Sequence, residues 1–447
     1  MIQKGRTMAI KASTVMATSI QETETQRIRN KWSWVEANVW TDSMLTALEN
    51  GVKGGKWFSL IDKVYRTETL ETAWRKVKKN KGAAGVDKIT VKRFEAKQEQ
   101  YLAELRKEIQ EGTYRPNAVR REYIPKGQGK MRPLGIPTVK DRTAQQAVKT
   151  VIEPIFEKEF LDMSFGFRPN RGAKQAIEEV SRLIDEGYTW VVDADLQSYF
   201  DTIPHDNLMT KVEQEISDGR ILQLVKMWLE QEIMEECKHW NPTQGTPQGG
   251  VISPLLSNIY LHDLDVTMTQ AGYKMIRYAD DFVILTRSEA EAKDALRMVQ
   301  EWVTKNGLTI HPEKTHVGNC MIEGQGFDFL GYRFEEGKKW IRKKSIQKFR
   351  DRIREVTSRV CGKSIPSVIE ELNPILRGWS AYFVNVTKYT LETFDSFVRR
   401  RLRAIIASQQ KRRTFGAGWE NQRIPNQYFA KLGLFNMGAY QAKYIAC

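Results

Sequence analysis

The sequence predicts an α+β body followed by an all-helical C-terminal module. Three observations carry this. Between residues 190 and 334, short apolar strands interleave with amphipathic helical stretches. Beyond Lys344, every apolar pattern has helical spacing. The charge divides near the same point. From Lys338 to Cys447 there are 23 Lys and Arg against 7 Asp and Glu, whereas the whole 447-residue chain holds 70 against 55. Essentially the entire net charge of +15 therefore sits in the last quarter. A basic module attached to a near-neutral body points to a polyanionic partner.

The elements follow in order. Residues 32–57 carry Trp32, Trp34, Trp40 and Trp57 among helix-compatible residues, which predicts a helical N-terminal extension whose tryptophans pack on the body. Ile61, Val64, Leu70, Trp74 and Val77 recur at helical spacing, and Lys78-Lys79-Asn80-Lys81-Gly82 stops that helix. Gly85-Val86-Asp87 opens a connection to a helix over 94–109. Basic, strand-like residues at 119–126 and 130–137, separated by a glycine turn, predict a hairpin. Residues 190–196 read as a buried strand that sets Asp193 and Asp195 on one face. Helices are expected over 205–236 and 253–264, the second entered through Pro254. Residues 275–285 read as two apolar strands flanking Ala279-Asp280. Ala292, Ala295, Leu296, Val299 and Val303 form one helical stripe, and short strands follow at 308–311 and 327–334. In the basic module, Phe394, Phe397, Val398, Leu402, Ile405 and Ile406 form another stripe, with Arg399, Arg400 and Arg403 on its other faces.

Composition removes several classes. With 41% hydrophobic residues the chain can bury real cores, which excludes a disordered basic protein. No apolar run approaches the ~20 residues of a bilayer span, so no membrane partner is expected. Cys237, Cys320, Cys361 and Cys447 are widely separated and lack zinc-ligand spacing, which fits a reducing cytosol. Residues 1–24 lack the apolar core of a secretory signal and read as a flexible tail, with an organellar transit peptide as the second reading.

Three acids draw attention. Asp195 ends a buried strand, and Asp280-Asp281 lies between two apolar strands. Burying carboxylates at the ends of apolar strands is costly unless something compensates. A pair of Mg²⁺ ions about 3.5–4 Å apart, bridged by carboxylates from different strands, would compensate and would activate a 3′-hydroxyl and steady a departing pyrophosphate. An Asp-Asp pair alone is a weak signal, since a solvated turn looks the same. A Tyr-x-Asp-Asp hairpin downstream of Asp-x-x-x-Tyr-Phe-Asp on a buried strand is a stronger one.

The ordered segments then carry a resemblance. Gly85-Val86-Asp87, the 121–142 stretch with Tyr-Ile-Pro-Lys and Arg-Pro-Leu-Gly-Ile-Pro-Thr, Ser164-Phe165-Gly166-Phe167-Arg168-Pro169, Asp195 to Asp201, Gly245-Thr246-Pro247-Gln248-Gly249-Gly250, Tyr278-Ala279-Asp280-Asp281, Gly307 to Thr315, and Phe329-Leu330-Gly331-Tyr332 occur in the order of the motifs of group II intron-encoded reverse transcriptases and maturases. Leu372 to Phe383 is similar to the maturase segment that follows the polymerase. The resemblance implies a right-hand polymerase: an extension at 1–60, fingers and palm at 61–337, a helical thumb at 338–415 and a short C-terminal segment, a vestigial DNA-binding region, at 416–447.

It also implies roles. Asp195, Asp280 and Asp281 would form the catalytic, Mg²⁺-binding set. Phe200 would lie beneath the sugar and disfavour a 2′-hydroxyl, a role compatible with simple core packing. Gln248 would touch the incoming nucleotide. Lys126 and Arg132 would contact its triphosphate, against the bland alternative of surface charge. Lys314 could protonate pyrophosphate, bind phosphate or simply face solvent. Arg377, Arg399, Arg400, Arg403, Lys411, Arg412 and Arg413 would grip RNA phosphates. The expected function is RNA-directed DNA synthesis from a DNA primer on an RNA template, with two Mg²⁺ ions and dNTPs. Group II intron RNA, held as a ribonucleoprotein, and target DNA are the expected partners. A free-standing relative in defence or DNA repair, and a splicing cofactor with a decayed polymerase, are the alternatives. The intact aspartates and Gln248 speak against the second. No HNH-like His/Cys constellation follows the thumb, so the resemblance is to the endonuclease-lacking type.

Overall fold

A computed structural model describes residues 24–127, 130–235, 238–358, 362–412 and 422–446. Residues 1–23 of the expected tail at 1–24, the side chain of Lys126, Arg413, and Cys237, Cys361 and Cys447 lie outside the described residues. The chain divides into two compact units, one of residues up to Val180 with Val192–Val317, the other of Ser181–Val191 with Gly318–Cys447. No helix among the described residues is long and apolar enough to cross a membrane.

The first unit opens with helices α1 (24–31), α2 (Asp42–Asn50), α3 (Ile61–Val64) and α4 (Thr67–Lys79). Trp32 and Trp40 pack inward, whereas Trp34 and Trp57 are half-buried. Trp40 is fully buried, donates its indole N–H to the Thr150 carbonyl at 3.3 Å, and meets Trp57 edge-on at 5.5 Å. The helix expected over 94–109 is two, α5 (Val91–Ala96) and α6 (Gln98–Glu111), broken at Lys97. The break has a packing reason. It lets Phe94 sit 4.5 Å from Trp74 and 4.8 Å from Tyr101, closing one aromatic cluster.

Strands β1 (Val119–Gly127) and β2 (Lys130–Ile136) form the expected hairpin. Helix α7 (Val139–Glu157) follows, capped by the Thr138 hydroxyl and buried along most of its length. Next come α8 (Ala173–Asp185), β3 (Trp190–Asp195), α9 (Tyr199–Thr202), α10 (His205–Glu215) and α11 (Gly219–Leu229). Here the helix expected to run to residue 236 stops short. Ile233 pairs in parallel with Val119, so β4 (Ile233–Glu235) adds to the open edge of β1, and β5 (Lys238–Trp240) adds to β4. An unpaired strand edge is a ready hydrogen-bonding template. The core is completed by α12 (Ser253–Gln270), β6 (Lys274–Tyr278), β7 (Asp281–Thr286), α13 (Glu289–Lys305) and β8 (His316–Asn319), in a second sheet ordered β6-β7-β3-β8. The strand expected at 308–311 is a single bridge between Leu196 and Ile310.

The second unit holds the antiparallel sheet of β9 (Phe327–Phe329), β10 (Tyr332–Glu335) and β11 (Lys338–Ile341) and the helices α14 (Lys343–Val356), α15 (Ile365–Tyr382), α16 (Lys388–Gln409), α17 (Asn426–Lys431) and α18 (Met437–Ala446). This sheet goes with the helices, so the division falls at Val317/Gly318 rather than at the expected residue 337. Tyr332 and Tyr382 explain it, each hydroxyl donating to a carbonyl of the other's segment: Tyr332 to Tyr382 at 3.0 Å, Tyr382 to Leu330 at 2.7 Å. Trp379 is half-buried and joins the helices through its ring. It stacks on Phe349 at 4.0 Å and meets Phe394 edge-on at 4.8 Å, joining α14, α15 and α16.

Candidate active site

Asp195 is the last residue of β3. The chain then reverses through Ser198, whose φ of 49° lies in the left-handed region, and enters α9. That turn buries Tyr199 and Phe200 and leaves Asp201 exposed. Tyr199 donates its hydroxyl to the Ser257 carbonyl at 2.8 Å. Burial pushes its phenol far up, and the negative charge of Asp280 pushes in the same direction. Strand β7, which Asp281 opens, lies beside β3, which Asp195 ends.

The Tyr278↔Asp281 pair closes the β6–β7 hairpin, with Ala279 in the turn at φ 60°. A non-glycine residue there carries strain of about 1 kcal/mol, so neighbouring contacts must hold it. Arg277 donates to the Ala279 carbonyl at 2.9 Å. The segment 163–166 lies against the hairpin: Phe165 N donates to Arg277 O at 2.8 Å, and Arg277 N to Met163 O at 2.9 Å. A Cβ on Gly166 would sit 2.7 Å from the Tyr278 carbonyl carbon and nearer still to Ala279 N. The Ser-Phe-Gly-Phe segment thus needs its glycine because the catalytic-type turn rests on it.

Beside this, Gln248 is held at both ends of its amide. Oε1 accepts from Arg132 Nε at 2.7 Å, and Nε2 donates to both Asp201 oxygens at 3.1 and 3.0 Å. The backbone fixes it as well: Gly135 N donates to Gln248 O at 2.6 Å, and Thr246 N to Phe200 O at 2.6 Å. A cavity of about 160 Å³ is lined by Phe200, Asp201, Gln248, Gly135, Arg121 and Trp240. Lys314 pairs with Asp195 Oδ2, both side chains about half exposed. The lysine therefore stands at the Asp195 carboxylate with about half of its side chain in solvent.

Among the described residues, no three acidic, histidine or cysteine side chains form a ready-made metal cage. The donors still suit Mg²⁺ chemically. Asp195, Asp280 and Asp281 offer hard carboxylate oxygens, and Mg²⁺ is usually held by one or two carboxylates together with water and substrate phosphate rather than by an all-protein cage.

Residues 124–334 match the family model for reverse transcriptase (RNA-dependent DNA polymerase), and residues 346–425 match that for the group II intron maturase-specific domain. Protein YkfC of Escherichia coli K12 is 34% identical over 327 residues, covering 64% of this chain and 84% of that protein. The chain belongs to the group II intron-type reverse transcriptases. The group II intron-encoded protein LtrA of Lactococcus lactis is 38% identical over 215 residues, which is 47% of this chain and 35% of LtrA, so the match spans about a third of that relative. Among solved structures, a Candida albicans telomerase aligns with 74% of this chain and 64% of its own at a TM-score of 0.39 and 12% identity.

Several residues that support this reverse transcriptase's candidate site carry no role in the motif reading. Asp201 orients Gln248 from inside the Asp195 motif. Arg277, Asn258 and Asp265 lie beneath the Asp280 turn, joined by side-chain hydrogen bonds. A signal existed for Arg277: a lone charge within Met275-Ile276-Arg277-Tyr278 on a two-sided apolar strand must find a buried partner.

In the second unit, Arg399, Arg400 and Arg403 join Arg350 and Arg354 around a groove of about 770 Å³. Arg377 is exposed with its guanidinium 5.6 Å from the Phe435 ring centroid, Lys411 is exposed, and Arg412 donates to the Gln410 side chain at 3.0 Å. Arg403 corrects the surface-phosphate expectation. It is 4% exposed and spends its guanidinium on Ile424 O at 2.9 Å and Asn426 Oδ1 at 2.7 Å, tying α16 to the segment before α17.

Proposed function

We propose that this reverse transcriptase extends a DNA 3′-hydroxyl on an RNA template, consuming dNTPs, and that its basic C-terminal unit binds group II intron RNA to assist splicing and mobility into target DNA. The observation that supports the polymerase reading best is that Asp195 ends β3 while Asp281 opens the neighbouring strand β7, and that Asp201, six residues after Asp195, joins the Arg132–Gln248–Asp201 array. Asp195, Asp280 and Asp281 would hold Mg²⁺, which when bound lowers the cost of forming the attacking alkoxide and of releasing pyrophosphate. The chain's own contribution is then positioning. Arg132, with Nε on Gln248, directs the rest of its guanidinium to phosphate. Gln248, pinned at both ends, presents one face of its amide to the nucleotide. Phe200 walls the sugar side and disfavours a 2′-hydroxyl.

The test is primer extension on poly(rA) with oligo(dT) in Mg²⁺. Incorporation is expected in the wild type and its loss in Asp280→Asn, with RNA binding retained. A wild type that incorporates no dTTP would overturn the polymerase reading. For the intron reading, filter binding should give tighter association with a folded group II intron than with an unrelated RNA of equal length.

A further inference from the structure

Arg277 is wholly buried beneath the turn that carries Asp280 and Asp281. Its guanidinium faces in three directions. Nε and Nη2 pair with the two oxygens of Asp265, the Nε contact at 2.7 Å. Nη1 donates to Asn258 Oδ1 and to the Ala279 carbonyl, both at 2.9 Å. Asn258 and Asp265 are seven residues apart on α12, two turns along one face. Asn258 is oriented from both ends, since its Nδ2 donates to Gly166 O at 2.8 Å. The Arg277 side chain therefore ties α12 to the strained Ala279 peptide, and through Asn258 to the 163–166 segment.

A salt bridge needed for folding alone would require only the Asp265 pairing, and an apolar pair often serves as well. The third contact is different in kind, because it ends on the peptide that sets the direction of Asp280. Only a planar guanidinium can hold a carboxylate bidentately and still reach two further acceptors; a lysine ammonium cannot.

We propose that Arg277 is a positioning residue for nucleotidyl transfer, holding the Ala279 carbonyl so that the Asp280 and Asp281 carboxylates are set for metal binding. The proposal rests on the polymerase reading above. It assigns the metal-site geometry to a buried clamp between β6 and α12 rather than to the hairpin alone.

The test compares wild type with Arg277→Lys and with the paired Arg277→Met/Asp265→Leu, which leaves no unpaired buried charge. Primer extension gives kcat, KM for dNTP and the Mg²⁺ midpoint. Hydrogen exchange over 275–285 gives the order of the turn, and Mn²⁺ binding to the primer–template complex is followed by electron paramagnetic resonance. In Arg277→Lys, kcat should fall at least tenfold and the Mg²⁺ midpoint rise at least threefold. KM for dNTP and primer–template affinity should stay within twofold. Mn²⁺ should bind more weakly, and exchange should quicken around 278–282 but not across α12. If Arg277→Lys does not fold, the paired variant gives the answer. Wild-type Mg²⁺ midpoint, Mn²⁺ affinity and turn exchange in whichever variant folds would overturn the proposal. A wild type that binds Mn²⁺ but fails to extend primers would instead refute the polymerase reading, with turn exchange and Mn²⁺ affinity still testing the clamp.

Discussion

Replacing Gly166 with alanine tests how closely the turn is held. The new Cβ would stand 2.7 Å from the Tyr278 carbonyl carbon, where ordinary contact begins near 3.4 Å. The atoms it meets are backbone, so no side chain can swing aside. Because Ala279 N lies nearer still, either the 163–166 segment or the Tyr278–Asp281 turn must move by about 1 Å. Overpacking of this kind costs about 1–3 kcal/mol of stability. A displacement near 1 Å at a reacting centre can cost on the order of 10²-fold in rate. Gly166→Ala should therefore lower kcat for primer extension by about 10- to 100-fold while lowering the urea midpoint modestly. Primer–template affinity should hold, since the substitution lies behind the turn. Steady-state kinetics on poly(rA)/oligo(dT), with urea unfolding of the same preparations, measure both. A folded Gly166→Ala enzyme with kcat within threefold of wild type would show that the turn does not depend on this contact.

Other substitutions separate the remaining parts. Asp201→Ala frees one end of the Gln248 amide. An exposed charge-assisted hydrogen bond is worth about 1 kcal/mol after screening, so KM for dNTP should rise about fivefold with kcat within twofold. Tyr114→Phe removes a buried hydroxyl that donates to Asp141 at 2.7 Å and accepts from Trp228 at 3.2 Å, and should cost about 1–3 kcal/mol in urea unfolding. Burial holds the His262 imidazolium below its usual range. The unfolded chain therefore takes up this proton first as pH falls, and stability contributed above about pH 6.5 is lost on acidification through the folded value. His262→Gln should lose less stability than wild type between pH 7.5 and 5.5; an equal loss would assign that pH dependence elsewhere. Arg400→Ala should reduce the slope of log binding constant against log salt for RNA by about one unit, whereas Arg403→Ala should lower the melting temperature instead.

Much of the candidate site was legible because its residues are local in sequence. The strand ending at Asp195 and the apolar pair around Asp280 announce themselves by pattern, and both form where expected. The glycine approach to Gln248 is likewise a local signal, with Gly245 at φ 89°. What was not legible is non-local. Strand β4 has three residues and no alternation to read; it exists because β1 offers a free edge. The pairing of Lys314 with Asp195 joins residues 119 positions apart.

By itself, then, the sequence determined the order of the motifs, the chemical identity of the acids, and the gathering of positive charge at one end. Tertiary structure alone decided which charges are used and how. Arg399, Arg400 and Arg403 are neighbours on one helix and look alike as letters. Yet Arg403, which lines the same groove, is buried and hydrogen-bonded to the segment at 424–426, while Arg400 stays exposed. Arg277 reads as one more basic residue until α12 brings Asp265 and Asn258 beneath it. The physical reason is common to both. A charge is cheap in water and costly in a core, so its meaning depends on what the fold puts within hydrogen-bonding distance.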